Sequence, residues 1–565
     1  MKISSFDIFD TCLVRKCGTP ENFFDVFSLR AFDHEPQEWA RQEFVAARRL
    51  TEQKLWNENP YYTLQDIWTE MDWTHPFLKS KKELCELEQE LEREMLVSVL
   101  SMRDKVNECR KNGDKIIFIS DMYLSSEFLI DMMRTHGFYQ EGDALYVSCE
   151  CNAAKYDGGL FRYVKENEGL KSFRHWHHYG DNKLGDYKAP KKLGIRCTLI
   201  HHDYTPYQKQ WLKTDYTSGI KVKSIIAGLS RSIHYAMPYN THLAFFTDIV
   251  SPLYASFVYR VMNDAANKGI KKLFFCARDA YMIYQIAIKY RQLFPNIEVK
   301  YLLVSQKSLY NGNREACLKY LLQEGVATKS NDVAIVDIRS SGKTISILNM
   351  FLEENGYIRI REYLFELIRS MKYPYNGDEI RSEWQDTYAK LNPCCGRITS
   401  FWQLYEMFFS VHNQQRTIDY AFDKGGNAYP VFDTDNQSDI EEKKVGNAYI
   451  LDAVKWEQIH KNVIMEFIDT YIETKMYKYS DIVFNEIAMP TFIRFMEYPY
   501  KEYAIALTDV RVYSNTHDKY IPYVKEENWF QLLKTRGNDT YWKRATKMLL
   551  LPQWIMNLYL SNKLI

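Results

Sequence analysis

At 565 residues the chain is too long for one hydrophobic core and, at roughly 100 to 200 residues per domain, divides into about three units. Lys plus Arg and Asp plus Glu each number 73, so no global basic field draws it to nucleic acid. Hydrophobic residues, at 46%, suffice for globular folding, and no stretch reaches the roughly 18 apolar residues that span a bilayer.

The first predicted element is the apolar strand in MKISSFDIFDTCL, which stops at Asp7 and hands the backbone to a loop holding Asp10 and Thr11. Residues 15 to 112 read mainly as helix, the last being KKELCELEQELEREMLVSVLSMRDKVNECRKNG, with a stop at Asn112 and Gly113. KIIFISD is a second apolar strand, ending in Ser120. Alternating strands and helices follow, with Lys155 in NAAKYDGGLF and Asp181 and Asp186 in HHYGDNKLGDYKAPKKLG. The pattern predicts an α/β fold with a doubly wound parallel sheet, and in such sheets the ligand crevice lies beyond the carboxyl ends of the strands. His175, His177 and His178 flank one strand, where strand-edge or cap contacts are expected rather than a metal cluster.

An acid after the first strand, a hydroxyl after the second, an ammonium and a late acid pair suit phosphoryl transfer through an aspartyl phosphate. In this order the segments resemble the haloacid dehalogenase superfamily, over residues 1 to 205. The resemblance implies a Rossmann-like core (1–14 and 113–205) with an inserted helical cap (about 15–112) that closes over the substrate. It implies Asp7 as nucleophile and Ser120 and Lys155 as holders of the phosphoryl oxygens. It further implies Mg²⁺ bound by Asp7, the Phe9 carbonyl, Asp181 and Asp186. The family's second acid, two residues after the nucleophile, is replaced by Phe9, and the nearest candidate acid/base is Asp10.

Residues 206 to 240 read as a linker with a short helix, and a second α/β unit is expected over 241–430. KKLFFCARDA is a strand stopping at Arg278 and Asp279, and VKYLLVSQKSLY is a strand ending in Ser305 and Lys307. VAIVDIRSSGKT reads as a short apolar strand, Asp337, a small-residue loop and a helix N-terminus, which could cradle an anion. An ordinary strand-to-helix turn uses the same residues. The segment resembles the loop of type I phosphoribosyltransferases. In that family Asp337 would meet the ribose hydroxyls of phosphoribosyl pyrophosphate, and Ser340, Ser341, Gly342, Lys343 and Thr344 would hold the 5-phosphate, with Ile338 in place of a second acid and Arg339 entering the loop as departures from the family pattern. Arg278, Asp279 and Lys307 would face the pyrophosphate.

AFDKGGNAYPVFD reads as a hairpin around Gly425 and Gly426, FWQLYEMFFSVH as a helix carrying Glu406, Ser410 and His412, and 431–565 as a mostly helical extension. The tail YWKRATKMLLLPQWIMNLYLSNKLI suits either a packed helix or peripheral contact with a membrane surface. The 15% aromatic content suits rigid cores and sugar-stacking surfaces equally. Eleven cysteines without a CxxC pair, and no apolar N-terminal leader, predict free thiols and a cytoplasmic location, with the inner membrane face as a peripheral site.

Taken whole, the chain resembles two-domain bacterial proteins of capsule and O-antigen polysaccharide assembly. The resemblance implies transfer of ribose 5-phosphate to a lipid-linked glycan acceptor, then removal of the phosphate to leave ribofuranose. The alternative is a sugar-phosphate phosphatase whose second half only binds a glycan or acts as a scaffold.

Overall fold

The computed structural model describes residues 2–215, 219–238, 242–277, 280–340, 343–367, 416–433, 443–445, 448–450, 453–497, 499–508, 510–514, 519–522, 524–525 and 549. The chain forms two compact units, Met1–Asn240 with Glu473–Lys475, and Thr241–Ile472 with Met476–Ile565.

The first unit is built on strands β1 (Ile3–Phe6), β2 (Leu13–Arg15), β3 (Leu96–Ser98), β4 (Lys115–Ser120), β5 (Ala144–Val147), β6 (Trp176–Gly180) and β7 (Arg196–Leu199). Five of them form a parallel sheet in the order β5-β4-β1-β6-β7. Ile3, Ile117, Ile119, Phe161, Val164 and Trp176 pack into one core beside it, each such burial contributing about 1.5–3 kcal/mol. The strand order reverses at β1, which has β4 on one side and β6 on the other. The ends of three adjacent strands therefore open onto one crevice, and they carry Asp7, Ser120 and Asp181.

Between β2 and β4 lie the helices Pro20–Ser28, Glu38–Glu58, Leu64–Glu70, Lys81–Met95 and Leu100–Lys111. Ser80 and Glu83 form a capping box on the fourth. The long helix read through residues 81–112 is interrupted, because Leu96–Ser98 pairs antiparallel with Leu13–Arg15 as a short ribbon. The β-branched run in MLVSVL favours this extended pairing. The stretch 206–240, read as a linker, instead folds into helices Pro206–Lys213 and Val222–Ala236. Ile225, Ile226, Ala227 and Leu229 on the second are fully buried, as a linker's would not be.

The second unit holds β8 (Lys272–Cys276), β9 (Glu298–Leu302), β10 (Val333–Ser340) and β11 (Arg361–Leu367) in a parallel sheet ordered β11-β10-β8-β9. The hairpin β12 (Thr417–Phe422) and β13 (Ala428–Phe432) turns through Gly426 at φ 76°, as the sequence suggests. The stretch read as a mostly helical extension also contains an antiparallel sheet of Lys443–Val445, Ala448–Ile450, Val510–Ser514 and Lys519–Pro522. Glu406, Ser410, His412 and nearly all of the basic, apolar tail lie outside the described residues. Among the described residues no helix is long and apolar enough to cross a membrane.

Candidate active site

β1 ends at Phe6, and the turn that follows is tight: the Ile8 carbonyl accepts from both Cys12 N and Leu13 N at 2.9 Å. Asp10 takes the left-handed conformation at φ 52°, which Asp tolerates better than most residues. Its backbone is pinned from both sides, since Asp10 N donates to Leu13 O at 2.8 Å and the His202 ring Nε2 donates to the Asp10 carbonyl. The turn thus holds Asp7 at the strand edge and Asp10 in the same cavity wall.

Lys155 reaches into the crevice between two acids. Its Nζ lies 2.5 Å from Asp7 Oδ1 and 2.7 Å from Asp186 Oδ1, with all three side chains buried. Its backbone N–H donates to both oxygens of Asp121 at 3.0 Å, which fixes the segment carrying the ammonium. Burial pulls the Lys155 ammonium down, but Asp186 and Asp7 outweigh it and hold the group well above its ordinary range. Burial, reinforced by Asp186 and Asp181 and opposed by Lys155, pushes the Asp7 carboxyl well above the usual carboxylate range. Asp181 is pushed up to about 6 by burial, Asp10 and Asp186. Asp186 resists its own burial and stays low because Lys155 and His178 both stabilise its charge.

Asp186 is positioned by a buried relay across the sheet. The Trp176 indole N–H donates to Ser5 Oγ at 2.7 Å, and an indole can only donate. His178 Nε2 lies 3.1 Å from Asp186 Oδ1, and an ionised carboxylate can only accept. His178, held neutral by burial, therefore carries its proton on Nε2, and its Nδ1 accepts the Ser5 hydroxyl 2.7 Å away. The other oxygen of Asp186 accepts the Asn182 backbone N–H at 2.9 Å. Gly180 makes room: a Cβ there would lie 2.4 Å from Asp186 Cγ.

Ligand atoms of Asp7, Asp181 and Asp186 lie within 4.8 Å of one another. The Thr11 hydroxyl spans two of them, 3.3 Å from Asp7 Oδ2 and 3.4 Å from Asp181 Oδ1. Three carboxylates around one point, two of them shifted toward protonation, fit a divalent cation, and an all-oxygen donor set suits a hard ion such as Mg²⁺. Phe9 lines the same cavity with its ring under Arg15, whose Cζ is 4.6 Å from the ring centroid. Arg15 is in turn bound by Glu92 at 2.7 Å. The expected members Asp7, Phe9, Asp10, Ser120, Lys155, Asp181 and Asp186 therefore all line one cavity.

Sequence reasoning missed Asp121 and His202, and its expectation of a strand-edge or cap contact for His178 is corrected: the ring is fully buried in β6, which lies between β1 and β7, and bonds to Ser5 and Asp186. Asp121 follows Ser120 directly in KIIFISD and was legible in that strand end. His178 and His202 act through partners distant in sequence, Ser5 and Asp10, and carried no local signal. Among the described residues the strand histidines join no metal cluster.

The second constellation is not assembled in the same way. β10 runs through Asp337, Ile338, Arg339 and Ser340, paired with β11 as far as Ser340 opposite Leu367. Arg339 and Ser340, read as loop residues, are thus strand residues, because β11 extends the ladder beside them. Asp337 is buried, and its Oδ1 accepts the Ile338 N–H at 2.9 Å. Lys343 and Thr344 open the helix Lys343–Glu354. Lys307 is not at a strand end: Ser305 caps the helix Gln306–Asn311, and Lys307 is exposed in its first turn. Arg278, Asp279, Ser341 and Gly342 lie outside the described residues.

No family model and no curated protein matches the chain. Among solved structures, it is similar to the HAD-hydrolase YfnB from Bacillus subtilis bound to magnesium, at 15% identity and a TM-score of 0.28 over 36% of this chain and 90% of that one. It is similar to a HAD phosphatase from Thermococcus onnurineus at 17% identity and a TM-score of 0.28, over 36% of this chain and 88% of the other. It is also similar to L-2-haloacid dehalogenase from Xanthobacter autotrophicus with chloropropionic acid covalently bound, at 12% identity and a TM-score of 0.30, over 40% and 86% of the two chains.

Proposed function

We propose that the first unit is a Mg²⁺-dependent phosphatase working through an aspartyl phosphate on Asp7. One arrangement carries this reading: a buried carboxylate at a strand end, contacted by a buried ammonium at 2.5 Å and within 4.8 Å of two more acids. When bound among Asp7, Asp181 and Asp186, Mg²⁺ would supply charge neutralisation for the phosphoryl group. Asp7 attacks phosphorus, and the bond from phosphorus to the leaving oxygen breaks. Lys155 and the Ser120 hydroxyl hold the phosphoryl oxygens as their charge rearranges. Asp10 gives the leaving oxygen its proton, then takes one from the water that attacks the aspartyl phosphate, which releases phosphate and restores Asp7.

The test is phosphate release by the full chain from acetyl phosphate and phosphate monoesters. Release should require Mg²⁺, stop in EDTA and fall by at least about a thousandfold in Asp7→Asn. Undiminished release by Asp7→Asn contradicts the reading.

A second reading is transfer from phosphoribosyl pyrophosphate to a glycan acceptor by the second unit. It is favoured by the reversal of strand order between β8 and β10, since ligands bind at such switch points. Pyrophosphate release dependent on a glycan acceptor and lost in Asp337→Asn would support it. No release with any glycan offered would leave the second unit without this activity.

A further inference from the structure

The cavity over Asp7 has a volume of about 1000 Å³. That is the upper end of the roughly 300–1,000 Å³ of small-molecule sites, and far more than a phosphate ion fills. One wall comes from the helix Glu38–Glu58, which turns Arg49, Glu52, Gln53 and Trp56 toward it. Their spacing is that of a single helix face. Trp56 is 46% exposed and Tyr156, beside Lys155, is 40% exposed. Their rings lie 5.9 Å apart at 51°, so two open aromatic faces stand at the cavity. Tyr62 and Tyr123 stack at 6.3 Å along the same lining.

The charge of the lining is as informative as its shape. Arg15 is held by Glu92 at 2.7 Å, and Lys155 is committed to Asp7 and Asp186. Arg49 is exposed, and its charge favours the ionised forms of Glu21 and Asp25 nearby. The lining sets these three cations against eight acids, Asp10, Glu21, Glu52 and Asp121 among them. A second anion on the substrate would meet net repulsion. Hydroxyl groups would meet carboxylate acceptors and the exposed Gln53 amide, and the C–H faces of a ring would meet Trp56 and Tyr156.

Resting on the phosphatase reading, we infer that the group released from phosphate is neutral and polyhydroxylated, a sugar or sugar-like alcohol seated on Trp56, Tyr156 and Gln53, and that substrates bearing a second anion are excluded. Gln53 and Trp56 set specificity; they do not take part in the chemistry.

The test is steady-state kinetics of the full chain in Mg²⁺ with three substrates. Acetyl phosphate carries only an acetyl group, glucose 6-phosphate carries a neutral sugar, and 6-phosphogluconate carries a second anion of similar size. In Trp56→Ala, and again in Gln53→Ala, the ratio of kcat/KM for glucose 6-phosphate to that for acetyl phosphate should fall about tenfold through KM. In the wild type 6-phosphogluconate should be worse than glucose 6-phosphate by about tenfold or more. An unchanged ratio in both variants, or 6-phosphogluconate turned over as well as the neutral sugar phosphate, overturns the inference while leaving the phosphatase standing. Phosphate release from none of the three, acetyl phosphate included, overturns the phosphatase reading and this inference with it.

Discussion

Lys155 Nζ sits 2.5 Å from Asp7 Oδ1, with both side chains buried. Neither charge is tolerable there alone, and breaking a buried pair by removing one partner typically costs about 3–5 kcal/mol. Lys155→Met should therefore destabilise the metal-free protein by about that amount in urea unfolding. Mg²⁺ bound among the three acids would supply an alternative countercharge, so the loss should shrink markedly when it is added. The same variant should lose about 10²–10³-fold in kcat for phosphate release. A stability loss that is equal with and without Mg²⁺ would contradict the placement of the ion.

The Trp176–Ser5–His178–Asp186 relay holds Asp186, one carboxylate of the proposed metal site, from behind. Ser5→Ala touches neither the acids nor Lys155, yet removes the hydroxyl that orients the His178 ring. Loss of such support typically weakens metal affinity about 10–100-fold, and calorimetric Mg²⁺ titration should find a loss in that range. The buried Trp176 N–H also loses its acceptor, at about 1–3 kcal/mol. If Ser5→Ala lowers stability but binds Mg²⁺ as tightly as the wild type, the relay serves packing alone.

Removal of the acid itself should act more strongly. Asp181→Asn replaces a carboxylate by an amide within 4.8 Å of Asp7 and Asp186. Calorimetry should give a Mg²⁺ affinity at least about a hundredfold weaker, and excess Mg²⁺ should recover part of the phosphate release. Wild-type affinity in this variant would remove Asp181 from the metal site.

His177 offers a pH test away from the metal site. Burial, helped by Arg196 and Lys105, lowers it to about 4. In the unfolded chain it protonates near the ordinary value of about 6.5. Its folded value being depressed, its neutral form contributes stability that is fully present above pH 6.5 and is lost as pH falls toward 4. His177→Gln should therefore close the gap to wild type, or overtake it, in urea midpoints measured from pH 7 to pH 4.5. A difference that stays constant over that range contradicts the shift.

Much of this site is legible in the chain because the parallel sheet turns strand ends into site positions. Asp7 and Ser120 end short strand-like runs and Asp181 opens a Gly-Asp-Asn turn, and adjacency of β1, β4 and β6 then brings them together. What is not legible comes from partners far apart in sequence. Ser5 and His178 are 173 positions apart and meet only through the register of β1 on β6. The helix read across residues 81–112 is broken by pairing with Leu13–Arg15, which helical periodicity cannot reveal. The loop read after Asp337 becomes strand for the same reason, since β11 continues the ladder to Ser340.

On the proposed mechanism Asp7 carries the phosphoryl group. Rapid acid quench during turnover of a phosphate ester, followed by borohydride, reduces an acyl phosphate to an alcohol and converts the aspartate that bore it into homoserine. Peptide mass spectrometry should find homoserine at position 7, in the wild type with Mg²⁺ and not in EDTA. Phosphate release under the same conditions with position 7 still aspartate, or with the reduced residue elsewhere, would contradict the account.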